Sequence, residues 1–429
     1  MKSAASISIP ALRDAILKMP QDALTKTRLA ALEHLDEHGT PTIRHEDWKY
    51  TDLAPLIDIS NEWLAAGAHT ERADSIASTI ADVQSRFDAD WLVVINGTID
   101  MASVATVQAA GINVALLSET EPTLHFTAPL SDLNVSLLRD GLRIHVDAGV
   151  TLEKPVGILV IDSASSTVGV AQVHVEIEMA PGSDAGFLEY HASSGSASHY
   201  ANSVVRLAIG DNAAARYVRL QDRSPAHSQT GRLDAQLGRC GRLSYCGFDL
   251  GGKLVRNDLS VQLDKPGAEA SFDGLYLAGG QQHIDNHTRV DHLVGPATSR
   301  QEYRGILGGS SRCVWNGKAV VHVGADGTDA EQANHNLLLS DSAEVDAKPE
   351  LEIYADEVKC SHGTTIGQLD ETALFYLRTR GLDRREAKQI MTRAFAQSIV
   401  RKAPIESLQN AIAEQVATKL DALGDGDMQ

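Results

Sequence analysis

From about residue 150 the apolar positions alternate. Runs such as "QVHVEIEM", "SVVRLAI", "ARYVRL", "NDLSVQL", "AVVHV" and "LEIYA" place an apolar side chain at every second residue, and no long helical pattern interrupts them. A period of two puts alternate side chains on one face, the signature of strands. Earlier, "DWLVVINGTID" reads as a short strand ended by an Asn-Gly turn.

The two ends of the chain have helical spacing instead. Ala31, Leu32 and Leu35 form an apolar stripe stopped by Gly39, and "RHEDWKYTDLAPL" then carries Trp48 and Tyr50 in a polar, exposed-looking context. Beyond residue 369, Asp370 and Gly381 bracket one helix. Asp383 opens a second, with Ala387, Ile390, Met391, Ala394, Phe395 and Ile399 along one stripe. Pro404 breaks the pattern, and Leu408, Ile412, Val416 and Leu420 follow at spacings of four. The final "GDGDMQ" reads as unstructured.

Small polar clusters punctuate the alternating zone, at "APGSDA" (180), "IGDNAA" (209), "LGRCGR" (237), "DKPGAEA" (264), "LGGSSR" (307) and "LSDSAE" (339). Their starts lie 29, 28, 27, 43 and 32 residues apart, and a strand follows each. Strand–turn–strand units with such a period and no helices between them predict a solenoid, and the simplest one is a β-helix. A β-sandwich is the alternative. The expected division is a helical domain over 1–90, a β-helix core over 91–368 and a helical domain over 369–429.

Charge narrows the function. Lys and Arg number 38 against 57 Asp and Glu, a formal net charge of −19, which argues against nucleic acid or an anionic membrane as partner. No run approaches the roughly 18 apolar residues of a membrane span, the N-terminus has no signal-peptide pattern, and four cysteines make no disulfide framework. A cytoplasmic location is expected. Neither G-x-x-x-x-G-K-[ST] nor G-x-G-x-x-G occurs, so any ATP chemistry must come from a partner.

Three groups of residues could carry chemistry. Cys360 and His362, in "KCSHG", are two positions apart and share a strand face; thiolate and imidazole are ligands for soft metals and iron–sulfur centres. The bland alternative is one core thiol and one surface imidazole, with Gly363 opening a turn. His283, Asp285 and His287 also alternate and could hold a divalent metal, or could be a polar ladder satisfied by neighbouring coils. Cys240, Cys246 and Cys313 are scattered and read as small core hydrophobes. The last segment, rich in Arg and Lys, offers Arg378, Arg380 and Arg385 to an acidic partner.

"WKYTDL", "VVINGTID", "HIDNHTRVDH", "YRGILGG" and above all "ELEIYADEVKCSHGTTIGQLDETALFYLRTRGL" resemble the SufB/SufD family of iron–sulfur cluster assembly proteins, from about residue 40 to 422. The helical N-terminus, "WKYTDL" and the C-S-H-G run point to the SufD branch; the extra cysteines and N-terminal cysteine motif of the SufB branch are lacking. The resemblance implies a right-handed parallel β-helix between helical domains. It implies pairing with SufB, docking of the SufC ATPase through the C-terminal helices, and a non-catalytic role. It implies a transient iron–sulfur cluster at the SufB interface, with His362 as shared iron ligand and Cys360 beside it. The isolated chain is open to forming a homodimer. Competing readings are a SufB-like scaffold holding the cluster itself and a β-helix enzyme acting on polysaccharide.

Overall fold

The computed structural model describes residues 6–107, 111–120, 124, 128 and 130–427. Strands from the central zone build two sheets, one of ten strands and one of nine, and successive strands alternate between them. From Gly169–Met179 onward each strand pairs in parallel with the strand two earlier. From residue 156 onward, register partners lie between 26 residues apart (Gln229 and Val255) and 32 (Arg312 and Glu344). This is a parallel β-solenoid, and the β-sandwich alternative is excluded because adjacent strands run parallel rather than as antiparallel hairpins. Two antiparallel pairs sit at its start: Asp90–Ile95 with Thr98–Ile99 across the expected Asn96-Gly97 turn, and Ile112–Leu116 with Leu142–Val146.

All six polar clusters fall at corners between strands. The 43-residue step has a simple geometric cause. The clusters at 180, 209, 237 and 264 lead from the nine-stranded sheet to the ten-stranded one, whereas those at 307 and 339 lead back. The missing corner on the first side is at 293–297. Gly182, Asn212, Cys240 and Gly267 hold equivalent corner positions, and all have positive φ (73, 56, 51 and 75°). A left-handed residue is needed there to turn the chain, and Cys240 occupies one such position, exposed rather than in the core. Cys246 and Cys313 are buried as expected.

The inward side chains of the two sheets form one core that runs the length of the solenoid, from Leu92, Ile144 and Val160 to Trp315 and Ala330. The outer faces are covered by the chain's own ends. On the nine-stranded sheet, helices Ile9–Leu17, Thr25–His38 and Ala54–Ala65 belong to a cluster that includes Val170 and Tyr200. On the ten-stranded sheet, Ile399, Leu408, Ile412, Val416 and Leu420 pack with Leu188, Val218, Leu220, Phe248 and Leu275. The stripe of the last helix, Gln409–Asp427, is therefore as spaced, and the helix continues into the tail read as unstructured; Met428 and Gln429 lie outside the described residues. The helix Arg384–Val400 is rolled relative to expectation. Ala387, Thr392, Ala396, Ile399 and Val400 face in, while Ile390 and Ala394 face out. Asp370 and Asp383 cap their helices as expected, the latter in a capping box with Glu386.

Candidate functional site

Cys360 and His362 do not continue the strand that reads "LEIYA". That strand, Glu344–Ile353, ends the nine-stranded sheet. The chain then turns through Glu357, at φ 52°, and Lys359–Gly367 ends the ten-stranded sheet, running straight through Gly363. In register, Cys360 lies beside Ala330, His362 beside Gln332 and Thr364 beside Asn334. Ala330, Gln332 and Asn334 are all buried, and Ala330 belongs to the solenoid core. Cys360 and His362 thus share the inward face of the last coil, where no further coil covers them. Cys360 is half-buried against the core, and His362 is exposed. Partial burial pushes the Cys360 thiol up, and a backbone hydrogen bond from Ala330 pulls it partly back.

The facing wall of this open mouth is apolar. Val345, Ala347 and Leu351 continue the rows of Cys313, Trp315 and Ala319 but are only half-buried. Ile353, Tyr354 and Ile366 are exposed nearby. The end strand of the nine-stranded sheet carries Pro349, which lacks a ladder donor, and charged residues on its outward face, features that blunt an edge. The strand Lys359–Gly367 has no proline, and its outward residues after Lys359 are Ser361, Gly363, Thr365 and Gly367. Its edge is open to another strand.

His283, Asp285 and His287 do share the outward face of one strand, His283–His292, and there they hold the N-terminal segment. The Thr51 hydroxyl donates to Asp285 Oδ2 at 2.5 Å and lies 2.8 Å from His283 Nε2. Arg256 Nη1 reaches Asp285 Oδ2 at 2.6 Å and the Asp47 carbonyl at 2.8 Å, and the Arg256 guanidinium lies over the Trp48 ring at 4.2 Å. His287 Nε2 is 3.0 Å from Asp285 Oδ1. Burial pushes the Asp285 carboxyl up, but the His287 and Arg256 charges outweigh it and hold the group well below the carboxylate range. These contacts support the polar-ladder reading. They also correct the reading of "DWKYT": Trp48 is buried, clamped on Arg256.

Arg378, Arg380 and Arg385 are exposed on the C-terminal helices. Arg380 lies over the Tyr376 ring at 5.1 Å and donates to its hydroxyl at 3.2 Å. Beside them Phe375, Tyr376 and Ile390 are exposed, Phe375 at 66%.

The sequence reading missed a column of polar groups inside the solenoid. Glu189 accepts from Tyr217 at 2.7 Å and meets His191 at 2.8 Å. Arg219 pairs with Asp249 at 2.9 Å, and Asn257 donates to Asn286 at 2.9 Å. Arg223 pairs with Asp162. The signal was present: Glu189 and Arg219 stand two positions after Phe187 and Tyr217, on the face those aromatics bury. A groove of about 760 Å³, lined by Arg143, Glu176, Arg206 and Arg232, holds none of the candidate residues.

This interior makes stability depend on pH. Burial lowers the pKa of His174 to about 3 and of His292 to about 4. The unfolded chain binds those protons near pH 6.5, the folded chain only much lower. Stability should therefore fall from pH 7 to 4, by about 1.4 kcal/mol per pH unit for each histidine. Asp162 and Glu189 are raised by burial but lowered further by Arg223 and by His191 respectively, each to about 2. Their contribution is complete above the unfolded carboxylate range and is lost as pH falls to about 2. Urea unfolding from pH 8 to 3 checks this; a flat profile between pH 7 and 4 would contradict it.

The family model described as "SUF system FeS cluster assembly, SufBD core domain" matches residues 160–395, more than half of the chain. The chain belongs to the SufBD family. Its place is in iron–sulfur cluster assembly by the SUF system. The iron-sulfur cluster assembly protein SufD of Escherichia coli is 29% identical over 403 residues, covering 92% of this chain and 94% of that protein. A SufBD family protein of Synechocystis is 28% identical over 92% of this chain and 91% of its own length. SufD of Bacillus subtilis is 24% identical over 68% of this chain. Among the described residues of this SufBD protein, no helix is long and apolar enough to cross a membrane.

Proposed function

We propose that the chain is a SufD-type subunit that pairs with SufB through the open end of its solenoid and contributes His362 to a nascent cluster at that interface. The observation that carries this reading is the uncovered last coil. An inward-facing imidazole and thiol stand opposite a half-buried apolar wall, beside a strand edge with free ladder groups. A core that stops without a cap needs one, and a second chain adding strands would supply it. The cluster is cargo, shared with SufB and passed on. The domains are 1–90, 91–368 and 369–429, the last serving as the dock for the SufC ATPase. Co-purification from the native host tests the pairing: SufB and SufC should come down with this chain. A stable, stoichiometric cluster on the chain reconstituted alone would favour the SufB-like scaffold instead.

The apolar stripe of the C-terminal segment is not the dock for that partner. The stripe of Ile399, Ile412, Val416 and Leu420 covers this chain's own sheet, so it is not free for a partner. The free face is Phe375, Tyr376 and Ile390, rimmed by Arg378, Arg380 and Arg385. Deleting 370–429 would bare Leu188, Leu220 and Phe248, each worth about 1.5–3 kcal/mol of burial, and would confuse docking with stability. Phe375→Glu is the cleaner variant. It should weaken ATPase capture about 30-fold, the loss of a 2 kcal/mol hot spot, with the melting temperature unchanged. Undiminished capture would move the dock elsewhere.

A further inference from the structure

Two buried histidines and one buried aspartate stand together within the solenoid with their polar atoms largely unused. Gly169, His199 and His227 occupy the same position on three consecutive coils of the nine-stranded sheet. All three face the interior, sharing alternation with Val173, Val205 and Leu233 of the core. The His199 and His227 rings stack at 5.3 Å between centroids and 17° between planes. Glycine at 169 leaves the room: a Cβ there would fall 2.2 Å from His199 Cδ2. Asp162 comes from the facing sheet, and its Oδ2 is 3.8 Å from His199 Nδ1. One ligand-capable atom from each of the three lies within 4.8 Å of the others, the one such group among the described residues.

All three side chains are completely buried. Both ring nitrogens of His199, both of His227, and Asp162 Oδ1 have no hydrogen-bond partner. Buried polar atoms are nearly always satisfied, and five orphans in one spot call for a ligand. Asp162 Oδ2 is already taken by Arg223, whose other nitrogens bond Gln229 and His191. That arrangement fixes the carboxylate and leaves Oδ1 without a partner, while Oδ2 is the oxygen nearest the His199 ring. A neutral imidazole has one ring-nitrogen lone pair to give a metal ion.

We propose that Asp162, His199 and His227 bind one divalent first-row transition metal ion. Two imidazoles and one carboxylate are a donor set for zinc, ferrous iron or cobalt, with positions left for water. Closing the donor atoms by on the order of 1 Å brings them to the separations that metal–nitrogen bonds of about 2.0–2.1 Å require. The site lies inside the coil stack, so the ion enters during folding and is held by it. It shares no residue with the His362 mouth and does not depend on that assignment.

The test uses the full-length chain without a histidine tag, refolded with zinc or cobalt and dialysed against a weak chelator. Elemental analysis should find one metal per chain. His199→Asn/His227→Asn should hold less than about a tenth of that, while His362→Ala keeps the full equivalent. The cobalt form should show the d–d absorption of a nitrogen–oxygen site without a thiolate charge-transfer band, a readout that stands even if the double variant folds poorly. Metal-free wild type after refolding with zinc overturns the proposal. So does a metal retained by the double variant or lost with His362→Ala. A high-resolution structure of the zinc-refolded protein with waters alone on the four ring nitrogens overturns it as well.

Discussion

His362→Ala should lower cluster maturation in cells about tenfold or more while leaving the chain folded and the complex intact. The size is that expected for loss of the proposed iron ligand, since shell changes at metal sites cost about 10–100-fold. A neutral imidazole offers iron one lone pair, and its second nitrogen needs a partner to fix the tautomer; at an uncovered mouth that partner must come from the docking chain. Folding should be spared because the side chain is exposed, and such substitutions usually stay within about 0.5 kcal/mol. Cys360→Ala should have a smaller effect on maturation, with some loss of packing, because the thiol is half-buried on the core. The assay is complementation of a strain dependent on the pathway, with co-purification as the folding control. Maturation at the wild-type rate with His362→Ala would return "KCSHG" to a surface imidazole beside a core thiol.

Arg256→Ala should cost about 3–5 kcal/mol of stability, the usual penalty for breaking a buried ion pair from one side. Arg256 is 1% exposed and pairs with Asp258 at 2.8 Å and Asp285 at 2.6 Å. Without it the fully buried Asp285 carboxylate loses its guanidinium and is left with His287, Thr51 and His283 beside it. The Trp48 ring loses the cation it covers, and the Asp47 carbonyl loses its donor. The segment around residues 45–52 should then detach and become open to protease before the solenoid unfolds. Arg256→Lys should recover only part of the loss, because an ammonium cannot bridge two carboxylates and a carbonyl with the planar fork of a guanidinium. Urea unfolding and limited proteolysis measure both effects. A change under 1 kcal/mol would show that the latch contributes little.

The neighbouring segments "DWKYT" and "HIDNH" show where reading a sequence stops. Each is visible as a polar, chemistry-bearing run, and the alternation of His283, Asp285 and His287 correctly places them on one face. That they meet 232 to 234 residues apart, through Thr51, is a fact of tertiary packing. Nothing local marks Trp48 as buried, because its cover is a guanidinium from another coil.

What the sequence determined by itself is whatever depends on short-range periodicity. Alternation specified the strands, the recurring small residues specified the corners, and Asp370 and Asp383 specified helix starts, since side-chain direction and capping are settled within a few residues. Two neighbours on one strand, Cys360 and His362, were legible for the same reason. The tertiary structure decided which face of each strand is interior, which end of the stack is left open and which surface each helical stripe covers. It alone brought Asp162 to His199 and His227. Those outcomes depend on how two sheets close around a common core, and residues 28 to 65 positions apart have no local interaction that announces they will touch.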